Sequence, residues 1–123
     1  MNAKQIQDKV EELHYWDSRV IELSSDYFAD EITLAYDNST SKVVYRFVGC
    51  YKSNFNHWIS FEKEKPYRDL SLAQVPYFLQ DVEISEIEQE NKKLYSCKVL
   101  MPPMELEIWC TDIEVSEVMN SAQ

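Results

Sequence analysis

The chain has 123 residues, 22 acidic against 12 basic, for a net charge of −10 with both histidines neutral, and it is 45% hydrophobic and 13% aromatic. That length and that supply of core-forming side chains predict one compact domain over residues 1–123 and exclude a disordered tail. A single glycine, Gly49, excludes Gly-rich phosphate loops and dinucleotide fingerprints, which need several residues free to take positive φ or to admit a phosphate.

His14 and His57 are far apart in sequence, and Cys50, Cys97 and Cys110 form no CxxC pair, so neither a four-ligand zinc site nor any other cofactor site is expected. An odd number of cysteines argues against a secreted disulfide framework, and the polar start Met1-Asn2-Ala3-Lys4-Gln5-Ile6 lacks the pattern of a signal peptide. No run approaches the roughly 18 apolar residues of a membrane span. The expectation is a cytoplasmic protein without a membrane segment.

The predicted elements begin with a helix over about 2–14. Ile6, Val10 and Leu13 share one stripe, polar residues fill the rest, and Asn2 followed by Gln5 has the form of a capping box. From residue 19 the period changes to two. Arg19, Ile21 and Leu23 alternate with Val20 and Glu22, and Ile32, Leu34 and Tyr36 alternate with Glu31, Thr33 and Ala35. The turn residues Asp37-Asn38-Ser39-Thr40 then lead into Val43 to Val48, the strongest strand signal in the chain, which makes a hairpin.

A short aromatic strand is predicted over 56–61, then a charged connection over 62–69 and a helical turn at Ser71 to Gln74 that Pro76 ends. Val82 and Ile84 alternate, but Ile87 falls on the opposite parity, so that strand bulges or stops near Ser85. Tyr95, Cys97, Val99 and Met101 share a face, Pro102-Pro103 forms a stiff turn, and Met104, Leu106, Ile108 and Cys110 share the next face. Ile113 and Val115 change parity, which places a kink near Thr111-Asp112, and residues 119–123 fray. The predicted fold is α+β and mainly antiparallel β: an N-terminal amphipathic helix on a sheet, sandwich or open barrel of about six to eight strands spanning about 18–118.

Two groups of residues compete as the site. Charge falls in blocks, with nine acids and three bases over residues 1–41, two and six over 42–68, and eleven and three over 69–123. Such a balance disfavours nucleic acid and suits a basic protein partner. Glu105 and Glu107 should face away from Leu106 and Ile108, with Trp109 beside them and Glu83 and Glu86 on a preceding strand. An aromatic among carboxylates is a docking surface in which the ring is buried and the acids steer encounter. The rival is a ligand-binding or hydrolytic pocket formed by His14, Asp17, Arg19 and His57, in which a carboxylate orients an imidazole for general-base work. A third reading is a homo-oligomeric structural protein. The cysteines on the core parity, Cys97 and Cys110, read as inert, and Cys50 as the most exposed thiol.

The cluster His14-Tyr15-Trp16-Asp17-Ser18-Arg19-Val20, followed by paired strands and the acidic strand Glu105-Leu106-Glu107-Ile108-Trp109-Cys110, resembles small bacterial immunity proteins of polymorphic toxin systems. The resemblance implies a non-enzymatic cytoplasmic inhibitor that covers the active site or substrate surface of a toxin domain. A basic nuclease toxin would suit the acidic surface, because carboxylates can stand in for phosphates.

Overall fold

The computed structural model describes residues 2–58 and 77–119. One helix, α1 (Ala3–Glu12), precedes six strands: β1 (Val20–Asp26), β2 (Glu31–Asn38), β3 (Ser41–His57), β4 (Asp81–Gln89), β5 (Lys92–Met101) and β6 (Met104–Met119). All six belong to one antiparallel sheet in the order β1-β2-β3-β6-β5-β4, so the sandwich alternative does not form. Residues 77–79 pair with the chain entering β1: Val20 N donates to Tyr77 O at 2.9 Å and Leu79 N to Ser18 O at 2.9 Å. The two outermost strands are thereby tied at one end, and the sheet curls on itself there.

The capping box is present, with Asn2 Oδ1 accepting from Gln5 N at 2.8 Å and Gln5 Oε1 accepting from Asn2 N at 2.9 Å. The helix buries Ala3, Ile6 and Val10 against the sheet. Gln7, on the polar side of the sequence pattern, has a structural task. Its amide donates to Val82 O at 2.9 Å and accepts from Ile84 N at 2.7 Å, so it sews the helix to the outer edge of β4. The inner face of the sheet supplies the rest of the core, including Ile32, Leu34, Tyr36, Tyr45, Phe47, Val82, Val99 and Ile108.

Several strands differ from expectation. Val20, rather than Ile21 or Leu23, is buried, because the β1 register shifts between Val20 and Glu22 where residues 77–79 pair. β4 runs unbroken to Gln89 without a bulge, and Ile87 simply faces outward opposite Leu94. The Val43 to Val48 strand and the start of the predicted 56–61 strand are one element, β3, held in line by β6, which is only one residue shorter. The rest of that predicted strand, the connection over 62–69, the turn at 71–74 and residues 120–123 lie outside the described residues.

The face change expected near Thr111 occurs there, without a break in β6. Cys110 and Ile113 are both buried with two exposed residues between them, and on β3 the buried Phe47 pairs with Ile113 while Cys50 pairs with Cys110. Both central strands therefore switch faces at one level. Gly49 makes this possible: its φ is +65°, and a Cβ there would lie 2.2 Å from Thr111 Oγ1. A register shift between Cys50 and Lys52 follows on β3.

Candidate functional site

Alternation along β6 sends Leu106 and Ile108 inward and Glu105, Glu107 and Trp109 outward, as the sequence pattern requires. Cross-strand pairing then lines up two outward rows. One runs Glu83, Lys98, Glu107 and Asn54 across β4, β5, β6 and β3; the other runs Asp81, Leu100, Glu105 and Asn56. Between them lies a depression of about 340 Å³, walled mainly by Asn54, Asn56, Asp81, Lys98, Glu105 and Glu107.

The carboxylates are held rather than loose. Lys52 Nζ bonds Glu107 Oε1 at 3.0 Å and sits 4.3 Å from the centre of the Trp109 ring, while Asn56 Nδ2 donates to Glu105 Oε1 at 3.2 Å. Exposed pairs of this kind contribute only ~0–1 kcal/mol each to stability, so their effect is to fix side-chain direction. Glu83, Glu105 and Glu107 face outward against Lys98 and Lys52, and Asp81, which also accepts from Tyr15 Oη at 3.4 Å, lines the depression at its end, which leaves the surface negative. Beyond Trp109 the outer face turns apolar, with buried Leu94 and half-buried Ile87 beside it and Lys92 donating to the Tyr51 hydroxyl.

Glu86 separates from this group. It shares parity with Val82 and Ile84, and its Oε1 accepts from Ala3 N at 2.9 Å, placing a carboxylate on the N-terminus of α1. The side chain that read as a partner contact anchors the helix.

The residues of the rival pocket are engaged in the local architecture. His14 follows the helix cap at φ 53°, its N–H donates to Glu11 O at 3.0 Å, and its ring lies 6.4 Å from that of Trp16. Asp17, at φ 61°, bonds Leu79 O through its N–H at 2.8 Å. The Arg19 guanidinium lies 4.7 Å from the centre of the Phe78 ring, and His57 Nε2 is 2.7 Å from Tyr77 Oη. None of the four lines the acidic depression or a second, apolar hollow of about 280 Å³ bounded by Val20, Leu23, Tyr77, Met101 and Met104. Among the described residues no group of three His, Cys, Asp or Glu is placed to hold a metal.

Cys97 and Cys110 are fully buried, and Cys50 is the most open of the three. Burial pushes the thiols up, that of Cys50 to about 11 and that of Cys110 to about 12, so none is an activated nucleophile. Sequence reasoning missed Asn54, Asn56 and Lys98, which complete the rows. A strand ending at Val48 hides Asn54 and Asn56, and Lys98, although it alternates with Cys97 and Val99, joins them only through the sheet order.

No curated protein matches the chain. A family model described as Immunity protein PIM7 matches residues 2–117, which takes in the helix, the turn from His14 to Arg19 and nearly all of the sheet with its outward acidic face. The chain belongs to the PIM7 family of immunity proteins.

Proposed function

We propose that this chain is a non-enzymatic immunity protein that neutralises a basic toxin domain by docking it on the outer face of β4, β5, β6 and β3. Glu83, Glu105 and Glu107 steer and orient the partner, and Trp109 supplies apolar area at the margin. The observation that carries this reading is the outward depression lined by Asp81, Glu105 and Glu107, with half-buried Trp109 two residues beyond Glu107 on the same side of β6. Such a surface raises the rate of encounter with a cationic partner and excludes anionic ones. It also offers carboxylates where a nuclease would hold phosphates.

The test is association kinetics with a cognate toxin domain. Neutralising Glu105→Gln and Glu107→Gln together preserves side-chain length and introduces no lysine beside Lys52 or Lys98. The expected result is a fall in association rate of about threefold at low salt, growing to about tenfold for Glu105→Lys with Glu107→Lys, and a weaker dependence on ionic strength. Unchanged rates in folded variants reject this surface.

A further inference from the structure

β3 is longer than the hairpin beside it. β2 stops at Glu31, opposite Val48, and Asp30 O accepts from Cys50 N at 2.9 Å. Beyond that point β3 continues through Tyr51–His57 with β6 on one side, and all seven residues are exposed. On the other side of Tyr51 to Asn56 no strand is paired among the described residues. Trp58 N donates to Pro103 O at 3.0 Å, so along the regular stretch from Lys52 the even residues turn their backbone groups to β6. Ser53 and Phe55 therefore present N–H and C=O to the open side, which is a template for an added strand.

The other edges of the sheet are guarded. Gln7 occupies the edge of β4, which also carries Glu83, Glu86 and Glu88, and β1 is tied down at one end and carries Glu22 and Asp26 along the rest. Pairing two copies through either would set carboxylates against carboxylates. The stretch Tyr51-Lys52-Ser53-Asn54-Phe55-Asn56-His57 holds one lysine and no acid, in a chain of charge −10. It is the edge on which a second copy meets no like charge.

We propose that two copies of this chain pair through this edge, β3 against β3, antiparallel about a two-fold axis at Asn54. In that register Ser53 of each copy faces Phe55 of the other and exchanges both backbone hydrogen bonds with it, Lys52 faces Asn56, and Asn54 faces Asn54. The contact is isologous and closed, so it stops at a dimer. Five of the exposed aromatics fall on the same line. Tyr51, Phe55 and Trp58 belong to this edge, and fully exposed Phe28 with Tyr27 forms the β1–β2 hairpin tip just beyond Asp30. Pairing ends with Tyr51 against His57, because Asp30 already occupies the open side of Cys50, so Trp58 of one copy meets the hairpin tip of the other. The two Glu107 side chains are kept about three strand spacings apart, roughly 14 Å, which exceeds the roughly 8 Å screening length at physiological salt.

Sedimentation of the intact chain from about 1 to 200 μM tests this. The expected mass is twice 14.6 kDa at the upper end. Asn54→Lys places its charge beside Glu107 within the chain, which suits the fold, but opposes lysine to lysine across the axis; the dissociation constant should rise at least about tenfold. Under mild oxidation Asn54→Cys should cross-link between copies, because opposed Cα atoms in a non-hydrogen-bonded pair lie about 4.5 Å apart, within disulfide range. Asn56→Cys should not. A 14.6 kDa species at every concentration, or a dimer indifferent to Asn54→Lys, overturns the proposal.

Discussion

Replacing Gly49 with alanine perturbs the level at which β3 and β6 change faces together. Two effects oppose the substitution. An alanine held at φ +65° sits in the left-handed region, at about 1–2 kcal/mol. Its Cβ would also meet Thr111 Oγ1 at 2.2 Å, and that hydroxyl donates to Val48 O at 2.9 Å. Rotating Thr111 away forfeits a bond that contributes about 1 kcal/mol. The smaller entropy of the unfolded alanine chain offsets about 0.5 kcal/mol, leaving a net loss of about 2 kcal/mol. Urea unfolding followed by tryptophan fluorescence should show the midpoint falling by about 1 M at an unchanged slope. The effects are coupled, so Gly49→Ala with Thr111→Ala should cost about 1 kcal/mol less than the two single changes added together. A Gly49→Ala variant within about 0.5 kcal/mol of the parent, or strict additivity, would refute the reasoning.

Tyr45 is buried, and its hydroxyl has no hydrogen-bond partner among the described residues, so Tyr45→Phe should raise stability by about 1 kcal/mol in the same assay. His14 occupies the left-handed position just after α1, where glycine is preferred; His14→Gly should raise the melting temperature by a few degrees. Burial raises the phenols of Tyr15, Tyr36 and Tyr45 and the thiols of Cys50, Cys97 and Cys110. The folded state therefore holds these protons more tightly than the unfolded chain does. The stability this contributes is complete below the unfolded values, about 8.5 for thiol and 10 for phenol, and is lost as pH rises through the raised folded ones. A urea midpoint that climbed between pH 9 and pH 11 would contradict this. With the Cys50 thiol at about 11, iodoacetamide at pH 8 should label it far more slowly in the native protein than in urea.

The parts of this fold that the sequence declares are those where one face is buried and the other wet. The stripe of Ile6 and Val10, the Asn2–Gln5 cap and the alternation from Tyr95 to Cys110 each follow from local pattern and appear where it places them, while the turn expected over Asp37 to Thr40 tightens to Ser39-Thr40 because Asp37 and Asn38 pair with Lys42 and Ser41. What stayed hidden depends on partners remote in the chain. Ile87 broke the parity of its strand because the outer face has its own apolar patch with Leu94. β3 outran its strong strand signal because β6 supports it from the other end of the chain. Glu86 looked like its acidic neighbours until the N-terminus of α1 was found against it. The outward direction of Glu105, Glu107 and Trp109 was legible from alternation alone, whereas the companions Asn54, Asn56 and Lys98 needed the sheet order.

Carboxylate footprinting of the chain with and without its toxin domain reads the docking surface directly. Glu83, Glu105 and Glu107 should lose labelling on binding, while Glu12 on the exposed side of α1 stays reactive. Protection of Glu11, Glu12 and Asp17 with the outer strands left fully reactive would place the interface elsewhere and contradict the account.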